Sequence, residues 1–238
     1  MEPYRRQATV MDHVGTRADT DAGLRSYMMS VYRFMAIAMA VTGGVAFAAS
    51  QSMELMKLIH FTALRWVVMF APLVVVFMFS ARIHSMRTST AQGVFWLFSA
   101  LMGLSISYIF LAYTGTSIAR VFFVTAASFA GLSLYGYTTK RNLSGIGTFL
   151  TMGLIGLVVA SLVNIFLQST MMHFVISAVG VLVFAGLTAY DTQSIKLSYF
   201  SGDSGDTQTK KAIFGALRLY LDFLNLFMFL LQFLGNRN

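Results

Sequence analysis

No cysteine occurs in the 238 residues, and proline occurs only twice. The first absence excludes disulfides, thiolate metal sites and cysteine nucleophiles. The second argues against a loop-rich soluble fold. Charge is scarce too: Asp, Glu, Lys and Arg make up 11% of the chain, against about 25% in soluble domains. That shortfall excludes a disordered chain, a soluble coiled coil and nearly all soluble enzymes. A charged n-region followed by a short apolar stretch and a small-residue cleavage site is missing, so no cleavable signal peptide is expected. Without a phosphate-cradling glycine loop or a Walker lysine, an ATP-driven pump is not expected either. His13, His60, His84 and His173 lack metal-ligand spacing.

What the chain has in excess is apolar surface: 57% hydrophobic residues and a mean hydropathy of +0.70. At roughly 20 residues per span, this composition predicts an all-α polytopic membrane protein with seven transmembrane helices. Residues 1–30 read as a polar, mobile cytoplasmic tail and 31–238 as a single seven-helix domain. The apolar runs fall near 31–50, 62–82, 91–113, 118–138, 145–167, 171–190 and 212–234. Backbone groups in lipid must be paired within the segment, so each run is expected to be a helix. The runs are twice too long and too continuous for barrel strands. Pro72 is a candidate kink in the second run.

Seventeen basic residues give a net charge of +8. With the N-terminus inside, twelve lie on the cytoplasmic side and four on the other, while Arg218 lies within the last span. Loops rich in Lys and Arg stay in the cytoplasm, so the expected orientation is N-terminus inside and C-terminus outside, in a bacterial inner membrane. The basic residues are spread over loops, which favours this reading over nucleic-acid binding. Asn142-Leu143-Ser144 matches a glycosylation sequon but falls on the cytoplasmic side. The shortest turns are expected near Gly115 and Gln168, and a flexible run at Ser201–Asp206.

Seven of the nine acids lie in the tail or the loops; Asp191 and Asp222 are placed in the last two spans. A carboxylate at the centre of a membrane helix costs about 2.5–3.5 kcal/mol or more, and such residues usually serve function. Consecutive antiparallel helices can bring these two to similar depths. Adjacent carboxyls resist double ionisation and can share a proton, so the pair is a candidate pH sensor and gate. The plainer alternative is that Asp191 caps a helix end and Asp222 pairs with Arg218. Arg218, Asp222 and Asn225 are spaced i, i+4, i+7 and form one stripe, continued by Gln232. Arg218 can pair along this stripe with Asp222 or snorkel to the cytoplasm.

The segments Tyr190-Asp191-Thr192-Gln193-Ser194-Ile195-Lys196 and Leu219-Tyr220-Leu221-Asp222-Phe223-Leu224-Asn225-Leu226-Phe227 resemble the two motifs of the Bax inhibitor-1 family, also called the transmembrane Bax inhibitor motif family. The likeness extends over the seven-span layout and is nearest to bacterial calcium-leak members. It implies a last helix surrounded by the other six and a pH-sensitive calcium path gated by Asp191 and Asp222. It also implies an arginine that engages the aspartates in a closed state; Arg82, Arg87 and Arg218 are the candidates. Asn225, Gln193 and Tyr190 are candidate pore-lining residues, and Asp191 and Asp222 candidate transient calcium ligands, calcium being a hard ion that prefers oxygen. No tightly bound cofactor and no enzymatic activity are expected.

The resemblance also carries a second reading, a non-transporting regulator that binds a membrane-bound protease or another membrane partner. An intramembrane aspartyl protease is disfavoured, because bulky Leu219, Tyr220 and Leu221 precede Asp222. A retinal protein is disfavoured by the absence of lysine within the last apolar run.

Overall fold

The computed structural model describes residues 3–238, with side chains from Asp21 onward. Among the described residues nine helices follow in order: α1 (Pro3–Ser50), α2 (Met53–Phe61), α3 (Leu64–Arg82), α4 (Thr88–Ile106), α5 (Ile109–Ala112), α6 (Gly115–Thr138), α7 (Ser144–Leu167), α8 (Thr170–Leu197) and α9 (Gly205–Leu234). Seven segments of the described residues are long and apolar enough to cross a membrane: Asp21–Ser50, α3, Thr88–Ala112, α6, α7, α8 and α9. The seven expected spans are all present, within a few residues except that the first starts ten residues earlier, the last starts seven earlier and the sixth ends seven later. One face of the bundle carries the α3–α4, α6–α7 and α8–α9 turns, with Arg82, Arg87, Lys140 and Arg141. This is the basic face. The opposite face carries α2, the α5–α6 and α7–α8 turns and the chain end, and is the α2 face.

The first span begins earlier than the apolar run alone suggests. Tyr27, Met28, Val31, Phe34, Met35 and Ala38 are all buried and recur at the three- and four-residue spacing of one helix face. That stripe already starts inside the expected tail 1–30. Residues 1–2 and the side chains of 3–20 lie outside the described residues. α3 runs unbroken through Pro72.

Hydroxyl caps define the turns. Ser52, Thr114, Ser169 and Ser204 accept the backbone N–H three residues on, at Leu55, Ser117, Met172 and Thr207, and so pair donors that every helix start leaves free. The α7–α8 turn is built by Gln168 in the left-handed region (φ 49°) and by Asn164 Oδ1, which accepts from Ser169 N at 3.0 Å. It and the α5–α6 turn are as short as the sequence predicts.

The run 201–206 is tied down where flexibility was expected. Asp203 pairs with Lys211 at 2.5 Å, Ser204 caps α9 and Thr88 donates to Asp206 at 3.1 Å. Lys210 reaches across to His84 O at 3.1 Å, capping carbonyls left free beyond the end of α3.

α9 is the most buried span: two thirds (67%) of its most apolar stretch is enclosed, against 11–33% for the others. Its chief neighbours are α1, α4, α6 and α8. α3 packs chiefly on α4, and α7 on α8. Where the resemblance implies a ring of six around the last helix, the immediate ring consists of four, with two helices further out.

Close packing has a local cause at Gly136, where a Cβ would run into the Ala189 carbonyl; glycine here lets α6 touch the α8 backbone. The buried Tyr220 hydroxyl bonds Thr42 Oγ1 at 2.7 Å. Thr42 in turn donates to Ser99 O at 2.9 Å, so Tyr220 is the donor and the chain joins α9, α1 and α4.

Candidate functional site

The polar stripe of α9 faces α8. Asp191 lies six residues, about 9 Å, inside the end of α8 at 1.5 Å per residue. Asp222 lies 17 residues into α9. The two helices are antiparallel and packed together, and this brings Asp222 into one cluster with Asp191. Both are nearly enclosed, at 8% and 5% exposure.

Arg218 pairs with Asp191, on the neighbouring helix, rather than with Asp222 on its own. Its Nε donates to Asp191 Oδ2 at 3.0 Å, Nη2 bonds Asp191 Oδ1 and Nη1 donates to Ser194 Oγ at 3.2 Å. The planar guanidinium thus grips the carboxylate with two donors, the geometry that makes such pairs strong. Neither snorkelling nor the i, i+4 pair is formed. Asp222 Oδ2 is buried without a hydrogen-bond partner among the described residues, a rare condition for a buried polar atom.

The other expected site residues divide between the cluster and the packing. Arg82 and Arg87 are exposed, at the end of α3 and the cap of α4, with no carboxylate partner among the described residues. Of the three candidate arginines, only Arg218 touches an aspartate. Gln193 is a clamp: its Oε1 accepts from Leu143 N and its Nε2 donates to Arg141 O, both at 2.8 Å. This holds the α6–α7 turn to α8. Tyr190 packs its ring over Gly147 of α7, leaving no space for a Cβ there. Asn225 Nδ2 donates to Leu221 O at 2.8 Å. Ser194, which carries one arm of Arg218, was not singled out in the sequence; its i+3 spacing from Asp191 was the available signal.

Two cavities approach the cluster from opposite faces. One of about 260 Å³ opens on the basic face and is lined by Ser144, Tyr190, Gln193, Ser194, Leu197 and Ser198. It ends at the serine that holds Arg218. The other, about 700 Å³, lies near the α2 face between α3, α4 and α9 and reaches Asn225. Asn225 is three residues from Asp222, about 4.5 Å along the axis. Asp191, Arg218 and Asp222 line neither cavity; Ser194 and Asn225 are their neighbours that do. No group of three or more His, Cys, Asp or Glu is gathered among the described residues.

Fold and site together define a class: an integral membrane bundle of seven spans whose last two helices bury an acidic pair, one member of which is held by an arginine. The family model described as "Inhibitor of apoptosis-promoting Bax1" matches residues 24–238, and the chain belongs to this Bax inhibitor family. It is similar to the inner membrane protein YbhL of Escherichia coli K12, with 47% identity over 219 residues, 91% of this chain and 94% of that one. An uncharacterized protein of Rickettsia prowazekii is 46% identical over 217 residues, 91% and 92% of the two chains. One of Caulobacter vibrioides is 45% identical over 233 residues, covering 92% of each.

Proposed function

We propose that the protein is a pH-sensitive calcium leak, gated by Asp191 and Asp222, in a bacterial inner membrane with the basic face in the cytoplasm. The observation that carries this reading is the burial of both carboxyls beside Arg218 within the last two spans, with one cavity reaching Ser194 and another reaching Asn225. When the carboxyls share one proton, one net negative charge faces the Arg218 guanidinium and the cluster is balanced. Loss of that proton leaves a negative charge in excess inside the bundle, which a cation passing Asn225 can neutralise. Two carboxylates and an amide make a sparse oxygen site, and conduction needs such weak, exchanging ligation rather than a closed cage. Arg218 takes the part of the closing arginine that the resemblance assigns to one of three candidates.

The inner-membrane placement rests on the likeness to the inner membrane protein YbhL and on the positive-inside bias. The test is calcium entry into sealed liposomes containing the purified protein alone. Flux above protein-free liposomes supports the leak. No flux at any pH, with the protein folded and inserted, leaves the regulatory reading, in which the chain acts by binding a membrane protease or another partner.

A further inference from the structure

The larger cavity has chemistry that a cation path does not use. α3 starts at Leu64, so Arg65 and Trp66 stand at the membrane–water interface of the α2 face, where such residues anchor spans. The Arg65 guanidinium lies 4.7 Å from the Trp66 ring centre and has no carboxylate partner among the described residues. Gln232, on the same cavity, adds a neutral amide 3.2 Å from Ser177 Oγ.

His60 adds no competing charge. Ser107 spends its only proton on Leu104 O at 2.7 Å, so it must accept from His60 Nε2–H at 2.8 Å. Burial lowers the His60 pKa below its usual 6.5. The ring is therefore neutral at pH 7, with Nδ1 as an acceptor. The mouth thus presents one uncompensated cation beside neutral polar groups. Deeper, between Gln232 and Asn225, the wall is apolar: Met69, Met102, Met228 and Phe229. Seven residues of α9 separate Gln232 from Asn225, about 10 Å of depth.

We propose that this cavity is a phospholipid site, with the lipid phosphate on Arg65 and one acyl chain lying along Met69, Met102, Met228 and Phe229. A free phosphate would leave that apolar wall wetted, while a hydrocarbon chain alone would leave the guanidinium without a counter-charge. A phospholipid satisfies both ends and is the solvent of the α3 surface, where Trp66, Val67 and Phe70 are exposed. The site does not depend on calcium passing through the protein; a bound chain occupies the cavity through which a cation would reach Asn225, so lipid and cation exclude one another there.

The test is native mass spectrometry of the detergent-purified protein titrated separately with dioleoyl phosphatidylglycerol, dioleoylglycerol and glycerol 3-phosphate. One phosphatidylglycerol should be retained in preference to either fragment. A basic residue is worth about 1 kcal/mol at an anionic lipid surface, so Arg65→Gln should weaken retention about 5-fold. Met228→Trp, which fills the chain path, should weaken it as well. Arg120→Gln, an exposed arginine on the same face, should leave it unchanged. Equal phosphatidylglycerol retention by Arg65→Gln overturns the proposal, as does glycerol 3-phosphate binding as tightly as the lipid, or dioleoylglycerol binding equally well. Arg65 is exposed, so its variant decides the matter even if Met228→Trp does not fold.

Discussion

Replacing Arg218 by methionine keeps much of the side-chain volume and removes the charge. It deletes two donors to Asp191 and one to Ser194, leaving two carboxyls at 8% and 5% exposure without a cation. Stranding one partner of a fully buried ion pair costs about 3–5 kcal/mol. The Arg218 side chain is 31% exposed, so solvent reaches the pair and the expected cost falls to about 2–3 kcal/mol, the range of a hydrogen bond to a charged group. By the scaling of soluble domains of 150–250 residues, this lowers Tm by about 5–10 °C. Thermal unfolding in detergent, followed by size-exclusion fluorescence, reads the shift. Asp191→Asn added to Arg218→Met removes the stranded charge, so the double variant should be more stable than the two single losses summed. Arg82→Met should stay within about 0.5 kcal/mol of the parent, because Arg82 is exposed and without a carboxylate partner among the described residues. An unchanged Tm for Arg218→Met, or strictly additive losses in the double variant, would refute the pairing.

Other consequences follow from the packing. Gly136→Ala pushes a Cβ against the Ala189 carbonyl, a backbone group that cannot swing aside; it should cost about 1–3 kcal/mol or more, seen as a lower Tm in the same assay. Gln193→Ala leaves the buried Leu143 N–H and the Arg141 carbonyl without their partners, at about 1–3 kcal/mol, with faster hydrogen exchange across residues 139–143. For His60 the folded pKa is below the unfolded one, so the unfolded chain binds more protons and stability rises with pH. Its contribution is complete above about 6.5 and is lost as pH falls through that value; His60→Gln should remove this part of the acid-side loss in Tm.

The spans were legible because membrane helices have one dominant signal, a continuous apolar run, and lipid leaves the backbone no alternative. The approach of Asp191 to Asp222 was legible for a similar reason: two consecutive antiparallel helices fix relative depth by counting residues. What was hidden depends on side chains that cross between elements. Arg218 has a carboxylate four residues away on its own helix and another 27 residues away on α8, and sequence spacing favours the nearer. Only the facing of α8 and α9 shows that the farther one is the partner.

α2 was read as loop because Glu54, Lys57 and His60 dilute the hydropathy of a nine-residue segment. The ties on 201–206 come from the Lys211–Asp203 pair and from Lys210 on the His84 carbonyl, contacts that a run of Ser, Gly and Asp does not advertise. Gln193 looked like a pore residue because it is polar beside Asp191, yet both ends of its amide are committed to a neighbouring turn.

The most direct test of the gate is calcium flux in proteoliposomes measured across pH for the parent, Asp191→Asn, Asp222→Asn and the double variant. Asparagine keeps the size and hydrogen bonding of each side chain and removes its titration. The parent flux should depend on pH, each single variant should flatten that dependence, and the double variant should add little, because the two carboxyls titrate as one unit. If both single variants keep the parent's pH profile, the acidic pair is part of the packing and not the gate.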